Sequence, residues 1–166
     1  GIKSDNNVMR GEETLLIGLT NTELAFAEHI VMPGTHCKHV VLENLVITDF
    51  TTAMTGELFE LLSNKSILKG SLAASEFDQL SFLAGVKAAT GALLSNVFLA
   101  RINHLFQRLT PLQNYHWLSG LLIGHELEAF SKIIKVTLIA GSGLRLAYEL
   151  ALKQINPGIQ IQLLEE

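Results

Sequence analysis

The sequence predicts an α/β fold in which one mixed β-sheet packs against several helices. Three observations support this. Short β-rich runs cluster within residues 29–50, helical periodicity dominates residues 56–130, and a strand–helix–strand pattern occupies residues 134–164. Because 166 residues are enough for one sizeable core and few for two, we assign residues 1–166 to a single domain.

The first block predicts a helix followed by an antiparallel meander. The helix is expected to begin near Gly11, because Glu12 and Glu13 would then place negative charge at the positive end of its dipole. Three β-rich runs follow, over residues 30–32, 37–42 and 45–50. Tight turns at Pro33-Gly34 and Glu43-Asn44 separate them, so neighbouring runs are expected to pair with each other.

The middle block predicts helices, and the last block predicts a β-α-β unit. The predicted helices cover residues 57–62, a segment from Ser75 through Val86, and residues 93–109 and 112–130. Ser75 and Asp78 resemble a capping box, and Thr110-Pro111 is expected to stop the third helix. The β-α-β unit has strands over residues 134–140 and 159–164 around a helix over residues 144–155. Both strands are expected to extend the sheet of the meander.

Composition excludes several classes of function. The formal net charge is -4, so no basic surface predicts nucleic-acid binding. Every apolar run stops short of the roughly 18 residues that cross a bilayer, so no membrane partner is expected. Cys37 is the sole cysteine and cannot form an internal disulfide, which favours the reducing cytoplasm. The mean hydropathy of +0.34 is high and suggests that the chain buries a face against something else.

The turn between the first two predicted strands is a candidate phosphate-binding loop. Its sequence is Pro33-Gly34-Thr35-His36-Cys37-Lys38. A hairpin with Gly34 and Thr35 at its tip can direct backbone N–H groups and a hydroxyl at a phosphate, and Lys38 would add a point charge. An ordinary β-turn, in which proline and glycine serve geometry alone, explains the same residues.

A second glycine-rich turn, Gly141-Ser142-Gly143, joins a predicted strand to a predicted helix. Such a turn brings a helix N-terminus close to a phosphate or nucleotide, although a plain tight turn explains it equally well. It also partly fits a dinucleotide-binding fingerprint, with Glu165 as the acid that follows. A dinucleotide-binding oxidoreductase is therefore an alternative, disfavoured because Leu146 replaces the small third residue and the meander does not belong to that fold.

Two further groups of residues are candidate reactive sites. Glu12 and Glu13 either include a general base or only complement the helix dipole. His36, Cys37 and His39 lie close together but lack the second pair of ligands typical of metal sites. No metal site is therefore predicted among the protein's own residues.

Several motifs, taken in order along the chain, carry a resemblance to one protein family. They are Asn7-Val8-Met9-Arg10-Gly11-Glu12-Glu13-Thr14, Val31-Met32-Pro33-Gly34-Thr35-His36-Cys37-Lys38, Asp49-Phe50 with Met54-Thr55-Gly56-Glu57-Leu58, Phe82-Leu83-Ala84-Gly85, Leu118-Ser119-Gly120-Leu121-Leu122-Ile123-Gly124 and Ala140-Gly141-Ser142. Together they resemble the 2-dehydro-3-deoxygalactonokinase (2-keto-3-deoxygalactonate kinase) family. The resemblance covers nearly the whole chain, and its first two motifs are too long and specific to arise by chance.

The resemblance implies the actin-like ATPase fold of sugar kinases, in which ATP binds between two similar lobes. Residues 1–166 would form the C-terminal nucleotide-binding lobe. The implied reaction transfers the γ-phosphate of ATP, with Mg²⁺, to the 6-hydroxyl of 2-dehydro-3-deoxy-D-galactonate in galactonate breakdown. The implied roles are catalysis for Glu12 or Glu13, ATP binding for Gly34, Thr35, Lys38, Gly141, Ser142 and Gly143, and substrate binding for Arg10 and Arg101.

The sequence also departs from the family pattern. Full members begin with a first phosphate-binding hairpin that carries Asp, Gly and Thr, and they end with a further helix. Neither is recognisable here, so the N-terminal lobe and the final helix are expected to be absent. The expected partners are therefore the sugar acid and the N-terminal lobe of the same protein. Whether the chain forms a homo-oligomer is left open.

Alternatives stay open for the general base and for the class of function. Glu12 stands where the wider fold more usually carries Asp, and Asp5 is a rival for the base. A non-catalytic nucleotide-binding module with the same half-fold is the first alternative to a kinase.

Overall fold

A mixed sheet of five strands lies at the centre of the protein in a computed structural model, which describes residues 1–74 and 76–165. The described strands are β1 (Ile2–Lys3), β2 (Val8–Met9), β3 (His29–Met32), β4 (Cys37–Glu43), β5 (Val46–Ala53), β6 (Lys135–Ile139) and β7 (Gln160–Leu164). The described helices are α1 (Glu12–Gly18), α2 (Asn21–Leu24), α3 (Thr55–Lys65), α4 (Gln79–Ala88), α5 (Leu93–Leu105), α6 (Pro111–Leu127) and α7 (Ser142–Ile155), with 3₁₀ turns at Lys69–Ser71 and Glu128–Lys132.

The order of the strands confirms the predicted meander and its extension. The sheet runs β5-β4-β3-β6-β7, with β3, β4 and β5 antiparallel and with β6 parallel to both β3 and β7. The β4–β5 turn lies one residue later than expected, at Asn44 and Leu45. Their φ angles of 52° and 66° give a two-residue turn whose twist matches that of the flanking strands.

The sheet is covered on both faces, because side chains alternate along each strand. On β3, Val31 belongs to one core cluster with residues of α4, α6 and α7. Its neighbours Ile30 and Met32 belong to a second cluster with Met9 and Leu16, from β2 and α1. Each fully buried aliphatic side chain contributes about 1.5–3 kcal/mol relative to exposure, so both faces stabilise the sheet.

Helices α4 and α6 pack backbone against backbone. A Cβ atom at Gly85 would lie 2.0 Å from the Trp117 carbonyl oxygen, and one at Gly120 would lie 2.0 Å from the Phe82 oxygen. Such distances leave room only for glycine. At Gly124, a Cβ would lie 2.6 Å from the Ala89 Cβ, so the close packing continues along α6.

The predicted end of the third helix is wrong. Helix α5 ends at Leu105, and Gln107 adopts a φ of 53°, which takes the chain out of helical geometry. Thr110 instead caps α6: its hydroxyl accepts the Gln113 N–H, and the Gln113 side chain accepts the Thr110 N–H. Thr110-Pro111 therefore begins a helix, because proline at the first helical position lacks only an N–H that would have no partner there.

Helices α3, α4 and α7 also have bounds that differ from expectation. Predicted cap residue Ser75 lies outside the described residues, and α4 has Asp78 as its N-cap, where the Asp78 carboxylate accepts the Ser81 N–H at 3.1 Å. Helix α3 extends from Thr55 to Lys65, beyond the predicted residues at both ends. Helix α7 begins at Ser142, two residues earlier than predicted. In the described part of the chain, no helix has the length and apolar character required to cross a bilayer.

Candidate functional site

The sheet brings the two glycine-rich turns to one edge. Strands β3 and β6 are adjacent and parallel, with Ile30 paired to Thr137 and Val31 to Leu138. Their carboxyl ends therefore lie side by side, and each leads directly into one of the turns. Ligands of α/β sheets bind beyond the carboxyl ends of the strands, so this edge is the candidate nucleotide site.

The β3–β4 loop, residues 33–36, is anchored from behind and open at its tip. The Thr35 carbonyl accepts the Glu57 N–H at 3.0 Å, and the Gly34 N–H faces Cys37 Sγ at 3.5 Å. Thr35 is exposed. A Cβ added at Gly34 would meet no atom within 4 Å, so the space in front of the loop is free for a ligand.

The start of α3 touches the loop and fixes its position. A Cβ at Gly56 would lie 2.5 Å from the Gly34 carbonyl oxygen and 2.8 Å from Thr35 Cα. Beside this contact, His36 Nε2 lies 2.5 Å from Glu57 Oε2. Gly56 lies within one of the family motifs, but its role cannot be read from the sequence. Only the fold shows that a side chain at this position would collide with the loop.

The second turn places a helix N-terminus at the same edge. Gly141 is the N-cap of α7, and its carbonyl accepts the N–H groups of Leu144 and Arg145 at 3.2 Å and 3.1 Å. The first N–H groups of a helix have no acceptor within it, so Ser142 and Gly143 lie where N–H donors and positive dipole coincide. A Cβ at Gly143 would meet no atom within 4 Å.

Lys38 and Glu12 form an ion pair behind the loop. Lys38 is buried, and its Nζ lies 3.1 Å from both Glu12 Oε1 and the His36 carbonyl oxygen. Burial would raise the pKa of Glu12, but hydrogen bonds from its backbone and from Lys38 outweigh this and lower the pKa. Glu12 is therefore ionised at neutral pH. Contact between Lys38 and a phosphate stays a prediction, and it would require Lys38 to share its charge with Glu12.

The residues around Glu12 form one short segment. The Arg10 N–H donates to Glu12 Oε2 at 3.0 Å, and the Gly11 N–H donates to Glu13 Oε2 at 2.7 Å. Gly11 has a φ of 115°, which favours glycine there. Arg10 is exposed, and the rival Asp5 is exposed in the β1–β2 turn. The roles of these residues stay predictions.

Arg101 lies in a different part of the fold. Its guanidinium donates to the Ser71 hydroxyl at 3.2 Å, in the layer formed by α5, α6 and the turn at Lys69–Ser71. Among residues 1–74 and 76–165 we find no hydrogen bond or ion pair joining Arg101 to either glycine turn. Substrate binding by Arg101 stays a prediction.

A polar network that the sequence analysis missed lies behind the loop. It consists of Cys37, His39, Glu126 and Tyr148, on β4, α6 and α7. No local pattern could have revealed it, since its members are far apart in sequence.

A cavity of about 740 Å³ lies away from this site. Its lining includes Phe26, His29, Leu45, Ile134 and Lys135. These residues surround the amino ends of β3 and β6, which is the opposite edge of the sheet. The cavity is therefore separate from the candidate nucleotide site.

Comparisons with known proteins agree on one family. Residues 2–165 match the model of the 2-keto-3-deoxy-galactonokinase family. The chain is 41% identical over 158 residues to the 2-dehydro-3-deoxygalactonokinase of Escherichia coli K12, which covers 92% of this chain and 53% of that protein. It is 35% identical over 162 residues to the probable 2-dehydro-3-deoxygalactonokinase DgoK1 of Rhizobium meliloti, covering 89% of this chain and 51% of that protein.

A solved structure supports the same grouping. The fold superposes with a TM-score of 0.85 on a Sinorhizobium meliloti protein assigned as a 2-dehydro-3-deoxygalactonokinase, at 32% identity, covering 96% of this chain and 54% of that one. The chain thus spans about half the length of the relatives it matches. The match of the family model over residues 2–165 confirms the resemblance found in the motifs: the chain belongs to the 2-keto-3-deoxy-galactonokinase family.

Proposed function

We propose that this chain is the C-terminal nucleotide-binding lobe of a sugar-acid kinase with the actin-like ATPase fold. The kinase transfers the γ-phosphoryl group of ATP to the 6-hydroxyl of 2-dehydro-3-deoxy-D-galactonate. The observation that carries the proposal is the meeting of two open glycine turns at one sheet edge, in a chain whose relatives are named for this kinase activity. The single cysteine fits action in the reducing cytoplasm.

The residues present fit an ATP polyphosphate. Open space in front of Gly34 and Gly143 allows the backbone to approach phosphate oxygens closely, and exposed Thr35 offers a hydroxyl donor. In our assignment, Gly34 and Thr35 hold the transferred phosphate end, while Gly141, Ser142 and Gly143 hold the adenosine side.

Mg²⁺ would be held mainly by the nucleotide phosphates and water. Kinase Mg²⁺ typically uses one or two carboxylates plus substrate phosphates and needs no cage of protein ligands. Within residues 1–74 and 76–165, we find no group of three or more His, Cys, Asp or Glu side chains that could hold a metal ion. When bound, the ion supplies positive charge against the phosphates.

Glu12 is our choice of general base, with Glu13 and Asp5 as the alternatives. As the substrate 6-oxygen bonds to the γ-phosphorus, its O–H proton passes to the Glu12 carboxylate, and the bond from the γ-phosphorus to the bridging oxygen breaks to release ADP. The ion pair with Lys38 keeps the carboxylate ionised and fixed in place. Phosphoryl transfer depends mostly on positioning and electrostatics, so a weak, well-placed base is sufficient.

A second lobe of comparable size is part of this proposal. This chain covers about half of each relative, and the kinase cleft needs a second phosphate hairpin facing the β3–β4 loop. We therefore expect the 166-residue chain alone to have no measurable turnover, because the phosphates cannot be clamped in line with the acceptor.

The test uses a chimera in which this chain replaces the matching part of the E. coli relative. Release of ADP is measured with and without the sugar acid, for the chimera and for the 166-residue chain. The proposal expects ADP release by the chimera only, and only with the sugar acid. Turnover by the chain alone would refute the two-lobe requirement.

Two further results would replace the proposal by its alternatives. ATP binding without any transfer, in a chimera that folds, would favour the non-catalytic nucleotide-binding module. Retention of the chain on immobilised NAD, with no affinity for ATP, would favour the oxidoreductase.

A further inference from the structure

A run of buried polar groups connects the β3–β4 loop to α7. The Gly34 N–H faces Cys37 Sγ at 3.5 Å, and Cys37 Sγ lies 2.9 Å from Tyr148 Oη. The Tyr148 hydroxyl donates to Glu126 Oε2 at 2.8 Å, and His39 Nε2 lies 2.8 Å from Glu126 Oε1. We call Cys37, His39, Glu126 and Tyr148 the Tyr148 network.

Three of the four side chains in the network are shielded from water, which raises the free-energy cost of losing one of their hydrogen bonds. Cys37 and Tyr148 are 0% and 2% exposed, and the Glu126 side chain is 1% exposed. A buried carboxylate is strongly unfavourable unless donors surround it. Removing the Tyr148 hydroxyl would therefore take one partner from Glu126, which keeps its contact with His39, and would remove one of the contacts that hold the loop.

The protonation of Cys37 and Tyr148 determines which groups donate in these hydrogen bonds. Burial, and then the charge of Glu126, raise the pKa of the Cys37 thiol to about 11, and the same two causes raise the pKa of Tyr148. Both groups therefore keep their protons at neutral pH. Tyr148 therefore donates to Glu126 Oε2, and the Cys37 S–H has two acceptors within reach, the Gly34 carbonyl oxygen at 3.3 Å and the Tyr148 oxygen at 2.9 Å.

We propose that Tyr148 is a positioning residue that fixes the β3–β4 loop relative to the N-terminus of α7. Tyr148 belongs to α7, the helix that begins at Ser142, and through Cys37 it reaches Gly34. The two glycine turns are thus linked by side chains as well as by the sheet. The consequence for ATP rests on the proposed function, whereas the effect on the geometry of the loop does not.

The test compares Tyr148→Phe with Tyr115→Phe, the other tyrosine of the sequence. Tyr115 is a matched control because its ring packs against Phe59 and His116, outside the network. Amide hydrogen exchange in the 166-residue chain is measured at the hydrogen-bonded amides of the two turns, those of Gly34, Leu144 and Arg145, with residues 93–105 of α5 as the internal reference. The Michaelis constants for ATP and sugar acid are measured in the chimera.

We expect Tyr148→Phe to speed exchange in both glycine turns by about five-fold or more, since one net hydrogen bond is worth about that factor. Residues 93–105 should be unchanged, and Tyr115→Phe should have no effect on the turns. In the chimera, the KM for ATP should rise by about five-fold while kcat and the KM for the sugar acid stay within about two-fold.

Two results would overturn the inference. One is exchange in the glycine turns that matches that of Tyr115→Phe. The other is an equal increase in all segments, including residues 93–105, which would show a general loss of stability rather than positioning. If the wild-type chimera neither binds nor uses ATP, the proposed function fails, and the exchange comparison still decides the role of Tyr148.

Discussion

Replacement of Gly56 by alanine tests whether the position of the β3–β4 loop matters for catalysis. The new Cβ would lie 2.5 Å from the Gly34 oxygen and 2.8 Å from Thr35 Cα, both backbone atoms that cannot rotate away. Since comfortable contacts between heavy atoms lie at about 3.5–4.0 Å, the loop or the start of α3 must move by about 1 Å. A displacement of that size at a site that orients reactants can cost about 10²-fold in rate.

The stability cost of Gly56→Ala should be small by comparison. Overpacking typically costs about 1–3 kcal/mol, and alanine is better than glycine inside a helix by about 0.5–1 kcal/mol. The free energy of unfolding should therefore fall by only about 1–2 kcal/mol. Loss of activity in a protein that still folds is the expected outcome.

The assay measures kcat/KM for ATP in the chimera, together with urea unfolding and the amide spectrum of the isolated chain. Gly70→Ala is the control, because a Cβ at Gly70 would meet no atom within 4 Å. We expect Gly56→Ala to lower kcat/KM by about 10²-fold and to shift the Thr35 amide signal. Wild-type kcat/KM and an unshifted Thr35 signal would refute the argument.

Gly34→Val tests whether phosphate needs the open space in front of the loop, without moving the loop itself. Space for its Cβ is free, so the fold and the free energy of unfolding should be nearly unchanged. The KM for ATP should nevertheless rise markedly, because the side chain would fill the space assigned to phosphate. An unchanged KM would remove Gly34 from the ATP site.

The remaining predictions concern Glu12 and Cys37. In the chimera, Glu12→Gln should lower kcat by about 10²–10⁴-fold with little change in ATP affinity, as expected for loss of a general base. If Glu12→Gln and Glu13→Gln both keep a near-normal kcat while Asp5→Asn has no activity, the base is Asp5. The pKa of Cys37 is raised from 9.0 to about 11, so the folded chain keeps a proton that the unfolded chain releases, and stability should fall as the pH rises from 9 through 11. The loss should approach about 2–3 kcal/mol in urea unfolding. Identical pH dependence in wild type and Cys37→Ala would contradict this.

Local patterns were sufficient to predict the antiparallel meander formed by β3, β4 and β5. Short β-rich runs with Pro33-Gly34 between them allow little except a meander, and the structure has one over residues 29–53. The end of α5 was missed because the residues up to Leu109 retain helical periodicity. The chain leaves the helix through the positive φ of Gln107, and Asn103 then accepts the Arg108 N–H at 2.8 Å.

The candidate site was only partly predictable. Each glycine turn could be identified from its own residues, but their meeting depends on the parallel pairing of β3 with β6, which are distant in sequence. The burial of Lys38 against Glu12 is likewise a tertiary result, since β4 alternation places Lys38 inside without naming its partner. For the same reason, nothing near Tyr148 in the sequence indicated its contact with Cys37.

The glycine contacts between α4 and α6 hold the distance between these two helices within narrow limits. Backbone carbonyl groups and backbone nitrogens, rather than the ends of side chains, set the spacing at Gly85 and Gly120. Backbone atoms have no rotamers, so this spacing has no soft degree of freedom that heat or a neighbouring substitution could alter gradually. Glu126 lies in the last turn of α6, close to Gly124, so the same close packing fixes the position of its backbone. Substitutions should therefore be tolerated on the outer faces of α4 and α6 but not at Gly85 and Gly120, where the two helices touch.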